Sequence, residues 1–275
     1  MATFEIIGGK SLHGEITPQG AKNEALQILS AVLLTSEKVI ISNIPQIRDV
    51  LKLIELLGDM GVKVEWVAQH TCAFTADNVN LDYLLSDAFK KQGGALRGSI
   101  MIIGPLLARF GMAYIPEPGG DKIGRRPIDT HLRGFESLGA TFEHLKDERT
   151  YRINARNLKG SYIVLDEASV TGTANIVMAA SLTSGETTIY NAACEPYLQQ
   201  LCKMINRMGG DISGIGSNRL TIRGVEKLHG CEHRMLPDMI EIGSFIGLAA
   251  TTMSEITIKN CAIPELGIIP SVFKK

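Results

Sequence analysis

The sequence of 275 residues is 45% hydrophobic and 21% charged, a composition typical of a globular protein long enough for two domains. Its formal net charge of -1 argues against nucleic acid or an anionic membrane as a partner, and we expect neither. No apolar run approaches the roughly 18 residues of a membrane span, and the first residues do not resemble a secretion signal. We therefore expect a cytoplasmic protein.

The first helix is predicted from apolar residues at helical spacing. They are Ala25, Ile28, Leu29, Val32 and Leu33. A β-branched segment follows at residues 35–43, and an amphipathic helix then ends at Met60-Gly61, where glycine suits the position just after a helix. Alternating apolar residues predict two short strands, at 62–66 and 72–75. The order is helix, strand, helix, strand, strand.

The same order recurs along the chain. In the second copy the first helix is predicted from Ile100 to Phe110, and in the third copy residues 183–191 repeat the β-branched segment after 148 residues (183 minus 35). The glycines that end the amphipathic helices, 78 and 70 residues apart, are Gly61, Gly139 and Gly209. We predict an α/β (α+β) fold in which units of about 70–78 residues pack around a shared core, because no copy buries its apolar face alone.

A fourth copy starts at residues 253–260 and continues into a segment that matches the start of the first amphipathic helix. The sequence reaches Lys275 before the glycine cap of that helix. We expect the sequence to be a fragment of a longer repeat protein. The alternative is a naturally short C-terminal helix, since terminal repeats are often atypical.

The second copy departs from the repeat at residues 116–127, where a glycine-rich loop replaces the asparagine found in the other copies. The loop has Asp121 at its tip and Arg125 and Arg126 behind it, and its glycines permit the backbone changes of a closing lid. An ordinary Gly-Gly-Asp turn is the alternative. Because departures from a local rule tend to mark function, we interpret the loop as a lid over an anion.

Two cations occupy equivalent positions at helix starts, Lys22 and Arg97, 75 residues apart (97 minus 22). A cation there opposes the helix dipole unless an anion binds. Together with the two loop arginines they form a candidate anion-binding set, with solvated surface cations as the alternative. In the third copy the equivalent turn offers the hydroxyls of Ser169 and Thr171.

Other chemistries lack their motifs, since no P-loop, dinucleotide fingerprint or serine-hydrolase elbow is present. The five cysteines form no C-x-x-C pair and predict free, mostly buried thiols. Cys231 lies close to His233, but no second ligand pair accompanies them. We expect neither a metal nor a cofactor. His131, near the loop, is interpreted as either structural or catalytic.

Six short segments carry a resemblance to a known family. They are Gly20-Ala21-Lys22-Asn23 with Ala25-Leu26, Arg97-Gly98-Ser99, Pro118-Gly119-Gly120-x-x-Ile123-Gly124-x-Arg126-Pro127, His131-Leu132-x-Gly134, Leu138-Gly139-Ala140 and Leu236-Pro237-Asp238. Together they resemble the UDP-N-acetylglucosamine 1-carboxyvinyltransferase family of enolpyruvyl transferases. The sister family that makes enolpyruvyl-shikimate phosphate usually opens this helix with Gly-Ser-Lys-Ser, so Ala21-Lys22-Asn23 favours the amino-sugar branch.

The resemblance implies two inside-out α/β barrels of three units each, with the active site in the cleft between them. Residues 21–229 would form one complete three-unit domain, and residues 1–20 and 230–275 a discontinuous part of the second. The family's second domain supplies a catalytic aspartate and arginines at positions beyond Lys275. We therefore expect the 275-residue chain alone to be inactive, and the sequence does not decide its oligomeric state.

The resemblance also implies roles for individual residues. Phosphoenolpyruvate would contact Lys22 and Asn23, with Arg126 at its phosphate. UDP-N-acetylglucosamine would be held by Arg97, Arg126, Pro127, Ile128, Asp129, Thr130, Ser169, Val170 and Thr171. The 3-hydroxyl of the sugar adds to phosphoenolpyruvate, and the tetrahedral intermediate then loses phosphate.

Asp121 departs from the commonest family pattern, in which cysteine at this position is the proton donor. An aspartic acid needs desolvation to hold a proton near neutrality, so we expect activity biased to lower pH and resistance to fosfomycin, an epoxide that alkylates the cysteine. Two other hypotheses stay open: a non-catalytic UDP-sugar-binding fragment, and a shikimate-branch enolpyruvyl transferase.

Overall fold

The computed structural model describes residues 3–117 and 127–274. Their contacts divide the chain into two compact units. The larger is Lys22–Met235, and the smaller consists of the described residues of Met1–Ala21 and Leu236–Lys275.

The described residues form both β-strands and α-helices. The strands are β1 (His13–Ile16), β2 (Val39–Ser42), β3 (Lys63–Ala68), β4 (Thr71–Thr75), β5 (Met112–Pro116), β6 (Thr141–Leu145), β7 (Thr150–Asn154), β8 (Tyr162–Val164), β9 (Glu186–Tyr190), β10 (Asp211–Ser213), β11 (Arg219–Arg223), β12 (Glu232–Arg234) and β13 (Glu255–Ile258). The α-helices are α1 (Lys22–Ala31), α2 (Arg48–Asp59), α3 (Asp87–Ala95), α4 (Ile103–Phe110), α5 (Asp129–Ser137), α6 (Val170–Ala180), α7 (Pro196–Arg207), α8 (Met239–Thr251) and α9 (Ile269–Phe273).

The larger unit repeats one arrangement three times. Its sheets have the strand orders β12-β2-β4-β3, β5-β7-β6 and β8-β9-β11-β10. In the first and third sheets one strand joins in parallel, β12 on β2 and β8 on β9, and the remaining pairs are antiparallel. Each copy therefore has the predicted order of helix, strand, helix, strand, strand, and the fold prediction is confirmed.

The core of the larger unit lies among the first helices of the three copies. A single cluster of buried apolar side chains runs from Ala25 in α1 to Met235 after β12. In α6 every residue from Gly172 to Ala180 is buried, whereas β3 exposes most of its residues. Helices fill the interior and sheets form the outside, so the three copies share one core.

The glycines that marked the repeat in the sequence end α2, α5 and α7 in the same way. Gly61, Gly139 and Gly209 have φ of 95°, 98° and 95°. Each donates its backbone N–H to the carbonyl three residues earlier, and the following residue donates to the carbonyl five residues earlier. This pair of bonds is the Schellman motif, which requires a left-handed residue at the glycine position.

The repeated asparagines have an equally local cause. Asn43 and Asn191 follow β2 and β9 with φ of 63° and 59°, a region that asparagine tolerates. Their side-chain amides donate to Met235 and Leu165, the residues that follow the parallel strands β12 and β8. The asparagine thus ends one strand and holds the end of its neighbour.

The predicted helix from Ile100 to Phe110 is wrong in its first turn. Residues Arg97–Ile102 form a 3₁₀ helix, and α4 begins only at Ile103. The side chain of Asn175 accepts from the N–H of Gly104 at 2.8 Å and donates to the carbonyl of Ile100 at 2.9 Å. These two groups would bond to each other in a continuous α-helix, so the amide of α6 replaces that bond.

The larger unit extends to Met235, whereas the sequence placed the domain boundary at residue 229. The difference arises because β12 completes the sheet of the first copy. In the smaller unit β1 and β13 pair in parallel, and α8 buries only Ile242. All five cysteines are free, but only Cys72 and Cys202 are buried, so the prediction of mostly buried thiols is wrong. Within the described residues no helix is both long and apolar enough to cross a bilayer.

Candidate functional site

A cavity of about 780 Å³ lies in the larger unit. Its charged lining comes from helix starts and from the turn before α6. Among the described residues this lining consists of Lys22, Arg48, Lys52, Arg97, Asp49 and Glu167. Four cations therefore face two carboxylates, an excess of positive charge that favours an anionic ligand.

Lys22 and Asn23 line the cavity from the first turn of α1. The ammonium of Lys22 forms an ion pair with Asp49, which lies in the first turn of α2. The cation predicted to oppose the helix dipole is thus compensated by a carboxylate in this structure. An incoming phosphate would compete with Asp49 for Lys22.

Arg97 lines the same cavity at the start of the 3₁₀ helix and lies close enough to lower the pKa of His131. His131 is buried in α5, and burial followed by the charge of Arg97 lowers its pKa to about 4. The imidazole is therefore neutral at pH 7.

Hydrogen bonds fix the tautomer of His131. Its Nδ1 accepts from the amide of Asn175 at 2.9 Å, since the other hydrogen of that amide is donated to Ile100. Its Nε2–H then points to the hydroxyl oxygen of Thr171 at 3.2 Å. Both nitrogens are occupied, so the structural interpretation of His131 is favoured over the catalytic one.

The third copy contributes through the start of α6. Ser169 caps this helix, accepting from the N–H of Gly172 at 3.2 Å, while Thr171 lines the cavity. The hydroxyl of Thr130 donates to Glu167 at 3.1 Å and so ties α5 to the turn before α6.

The structure brings only part of the predicted site to the cavity. The predicted residues that line it are Lys22, Asn23, Arg97, Pro127 and Thr171. The predicted residues that do not line it are Ile128, Asp129, Thr130, Ser169 and Val170, of which Ile128 is buried. Asp121, Arg125 and Arg126 lie outside the described residues.

Sequence reasoning missed Arg48, Asp49, Glu167 and Asn175. Arg48 is the first residue of α2, so the argument that selected Lys22 and Arg97 as cations at helix starts would have found it. Asp49 and Glu167 have no sequence signal, because carboxylates near helix starts are favourable without any ligand. The described residues also hold no group of three or more metal-ligating side chains.

The repeated units, the interior helices and the cationic cavity agree with one family of α/β proteins. The chain belongs to the EPSP synthase family, because the family model described as EPSP synthase (3-phosphoshikimate 1-carboxyvinyltransferase) matches residues 6–274. Curated relatives are more specific in name. The UDP-N-acetylglucosamine 1-carboxyvinyltransferases of Porphyromonas gingivalis and Bacteroides fragilis are each 62% identical over 275 residues, which cover 100% of this chain and 63% of each relative. That of Treponema denticola is 46% identical over 94% of this chain and 59% of its own length.

Solved structures agree on the fold. The enolpyruvyl transferase NikO from Streptomyces tendae matches with a TM-score of 0.74 at 22% identity, over 87% of this chain and 55% of that protein. EPSP synthase from Acinetobacter baumannii matches with a TM-score of 0.69 at 18% identity, over 98% of this chain and 60% of that protein. The chain spans less than two thirds of the proteins to which it is similar.

Proposed function

We propose that the chain belongs to an enzyme that transfers the enolpyruvyl group of phosphoenolpyruvate to the 3-hydroxyl of UDP-N-acetylglucosamine, with release of phosphate. The observation that carries the proposal is the cationic cavity, which collects Lys22, Asn23 and Arg97 from two copies of the repeat. The names of relatives 62% identical support the amino sugar as acceptor. The reaction would open peptidoglycan synthesis in the cytoplasm.

Both substrates present phosphates, and the cavity offers matching groups. Lys22 and Asn23 would contact phosphoenolpyruvate, with Arg126 at its phosphate. Arg97 would bind the diphosphate of the nucleotide, since a guanidinium forms two parallel hydrogen bonds with a phosphate. Residues 127–130 and 169–171 would hold the remainder of the nucleotide sugar. His131 is neutral and has both nitrogens occupied, so it would position Thr171 rather than transfer a proton.

Calorimetry on the chain tests substrate binding. UDP-N-acetylglucosamine should bind the wild type, and Arg97→Ala should weaken its binding by at least about tenfold, equivalent to 1.4 kcal/mol. Arg219→Ala removes an exposed cation from β11, away from the cavity, and should leave the affinity unchanged. Equal affinities of the wild type and Arg97→Ala would exclude this assignment of the cavity.

Two other functions are separated by the same experiment. The chain alone is expected to bind UDP-N-acetylglucosamine without releasing phosphate from phosphoenolpyruvate, so a non-catalytic binding protein would be indicated only if phosphate release is also absent from the protein at the full length of its relatives. Binding of shikimate 3-phosphate in its place would indicate the shikimate branch, which the description of the family model keeps open.

Asp121 would be the proton donor, so the activity of the enzyme should be biased to lower pH than that of the cysteine members, and the enzyme should resist fosfomycin. A carboxylate attacks the epoxide far more slowly than a thiolate does. Mass spectrometry of the full-length protein incubated with fosfomycin should find no adduct on the wild type and an adduct on Asp121→Cys. An adduct on Asp121 itself would contradict the proposal.

A further inference from the structure

The first turn of α1 contains three consecutive residues with different surroundings. Lys22 and Asn23 line the cavity, whereas the side chain of Glu24 is completely buried. A buried carboxylate is costly unless it is paired and hydrogen-bonded. The partners of Glu24 therefore help to determine the position of the first turn of α1.

Glu24 meets a histidine from a distant part of the chain. The Nε2 of His233 in β12 lies 2.9 Å from Oε1 of Glu24, and the imidazole is 1% exposed. On its other side, Nδ1 of His233 contacts the guanidinium of Arg207 in the last turn of α7. The three side chains join α1, α7 and β12.

The chemistry of arginine fixes the direction of these bonds. A guanidinium only donates, so Nδ1 of His233 accepts from Arg207 and Nε2–H donates to Glu24. The neutral imidazole links a cation to a carboxylate, and burial together with the charge of Arg207 lowers its pKa to about 4. The adjoining strand β2 places only uncharged residues opposite β12, namely Ile40, Ile41 and Ser42.

We propose that the buried Glu24 and His233, with the exposed Arg207 behind them, form a relay that positions the first turn of α1, and with it Lys22 and Asn23, at the cavity. Only the identity of the ligand rests on the proposed function. The carboxylate lies at the third position of the helix, where the helix dipole favours a negative charge. His233 and Arg207 hold that carboxylate from behind, so the two residues before it keep a fixed backbone position.

The tautomer is tested in the wild type by long-range ¹H–¹⁵N NMR. His233 should carry its proton on Nε2 alone between pH 5 and 8. Arg207→Gln removes the neighbouring cation and should raise the pKa of His233. A proton on Nδ1 in the wild type at pH 7 would overturn the relay.

Positioning is tested on the free protein with ¹⁵N order parameters. Glu24→Ala should lower those of the Lys22 and Asn23 amides from about 0.85 to below about 0.6, while α6 stays rigid. His233→Gln keeps a donor to Glu24, so the order parameters of the Lys22 and Asn23 amides should stay at the wild-type values. His229→Gln changes an exposed histidine nearby and serves as the control. A loss of stability with unchanged order parameters would overturn the proposal, because a purely structural role predicts that result. If Glu24→Ala does not fold, Glu24→Gln takes its place. It should lower the order parameters of the Lys22 and Asn23 amides by an intermediate amount, and unchanged order parameters would overturn the relay.

Binding separates the relay from the proposed function. Inorganic phosphate and UDP-N-acetylglucosamine are titrated into the wild type and into each folded variant. Glu24→Ala should weaken phosphate binding about tenfold and His233→Gln by less than twofold. A wild type that binds phosphate but not the nucleotide sugar contradicts the proposed function alone, whereas equal phosphate affinities in the wild type and Glu24→Ala contradict the relay alone.

Discussion

Asn175 occupies the junction of three elements of the larger unit. Its side-chain amide forms hydrogen bonds with the backbone of Gly104 and Ile100 and with the imidazole of His131, and all three bonds are buried. Asn175→Leu keeps the volume but leaves these polar groups without partners, each costing about 1–3 kcal/mol. We expect the free energy of unfolding to fall by roughly 3–5 kcal/mol in urea denaturation. The exposed Asn157→Leu is the control, and a change below about 1 kcal/mol for Asn175→Leu would contradict this account.

Two buried histidines predict a dependence of stability on pH. Burial, with Arg97 and Arg207 as the second causes, lowers the pKa of His131 and of His233 to about 4. In the unfolded chain each titrates near 6.5, so between pH 6.5 and 4 the unfolded state binds more protons and stability falls as the pH falls. Each histidine should lower the free energy of unfolding by roughly 2 kcal/mol when the pH falls from 7 to 5.

Urea midpoints measured at pH 7 and pH 5 check this expectation. His131→Gln should flatten the decrease, because glutamine does not titrate. Substitution of His13, which is exposed in β1, should not change it. A decrease that is equally steep in His131→Gln would assign the effect to other groups.

Some residues of the site were predictable because their signal is local. Lys22 and Arg97 stand at helix starts, and Gly61 and Asn43 mark backbone positions with positive φ. His233 carried no such signal, since its partner Glu24 is 209 residues away and the contact depends on packing of β12 against α1. Residues that serve a local backbone role recur in each copy and can be found in the sequence. Buried polar pairs form only when distant segments pack together, so the sequence does not reveal them.

Helix packing separates two glycines that look alike in the sequence. A Cβ on Gly104 of α4 would lie 2.3 Å from the backbone oxygen of Asn175 in α6, whereas a Cβ on Gly58 of α2 would meet Val64 at 3.9 Å. Gly104→Ala should therefore destabilise the protein by about 3 kcal/mol through overpacking. Gly58→Ala should stabilise it by about 0.5–1 kcal/mol, because alanine restricts the unfolded chain and favours helix. Thermal unfolding of both variants checks the prediction, and a Gly104→Ala variant as stable as the wild type would show that α4 and α6 move apart easily.

Most element types followed from apolar spacing, and the one clear error has a tertiary cause. The periodicity of residues 100–110 suits a single helix, yet the first part is 3₁₀. The amide of Asn175 takes the bonds that an α-helix would use. Pro105 adds to the break because it has no N–H to donate. Pro105 lies within the local sequence, but Asn175 lies in the next copy, so no window of sequence around Ile100 contains it.

The two compact units differ in how much apolar surface each buries within itself. The larger unit has three sheets around one continuous core, whereas the smaller has a two-stranded sheet and a helix, α8, that buries only Ile242. Two strands with little core are marginal by themselves in water. We expect the fragment Lys22–Met235 to fold alone and to unfold cooperatively.

Limited proteolysis and urea denaturation test this expectation together. Cleavage of the 275-residue chain should begin within the smaller unit, and the fragment 22–235 should retain the urea midpoint of the main transition. A second fragment that ends at residue 229 lacks β12, so it loses both a strand of the first sheet and the imidazole that pairs with Glu24. It should be less stable by several kcal/mol, because it loses a strand of the first sheet and because the buried carboxylate loses a hydrogen bond, which is worth roughly 1.5–3 kcal/mol when the acceptor is charged. Equal midpoints for the two fragments would mean that β12 adds nothing to the larger unit and that the boundary belongs at residue 229.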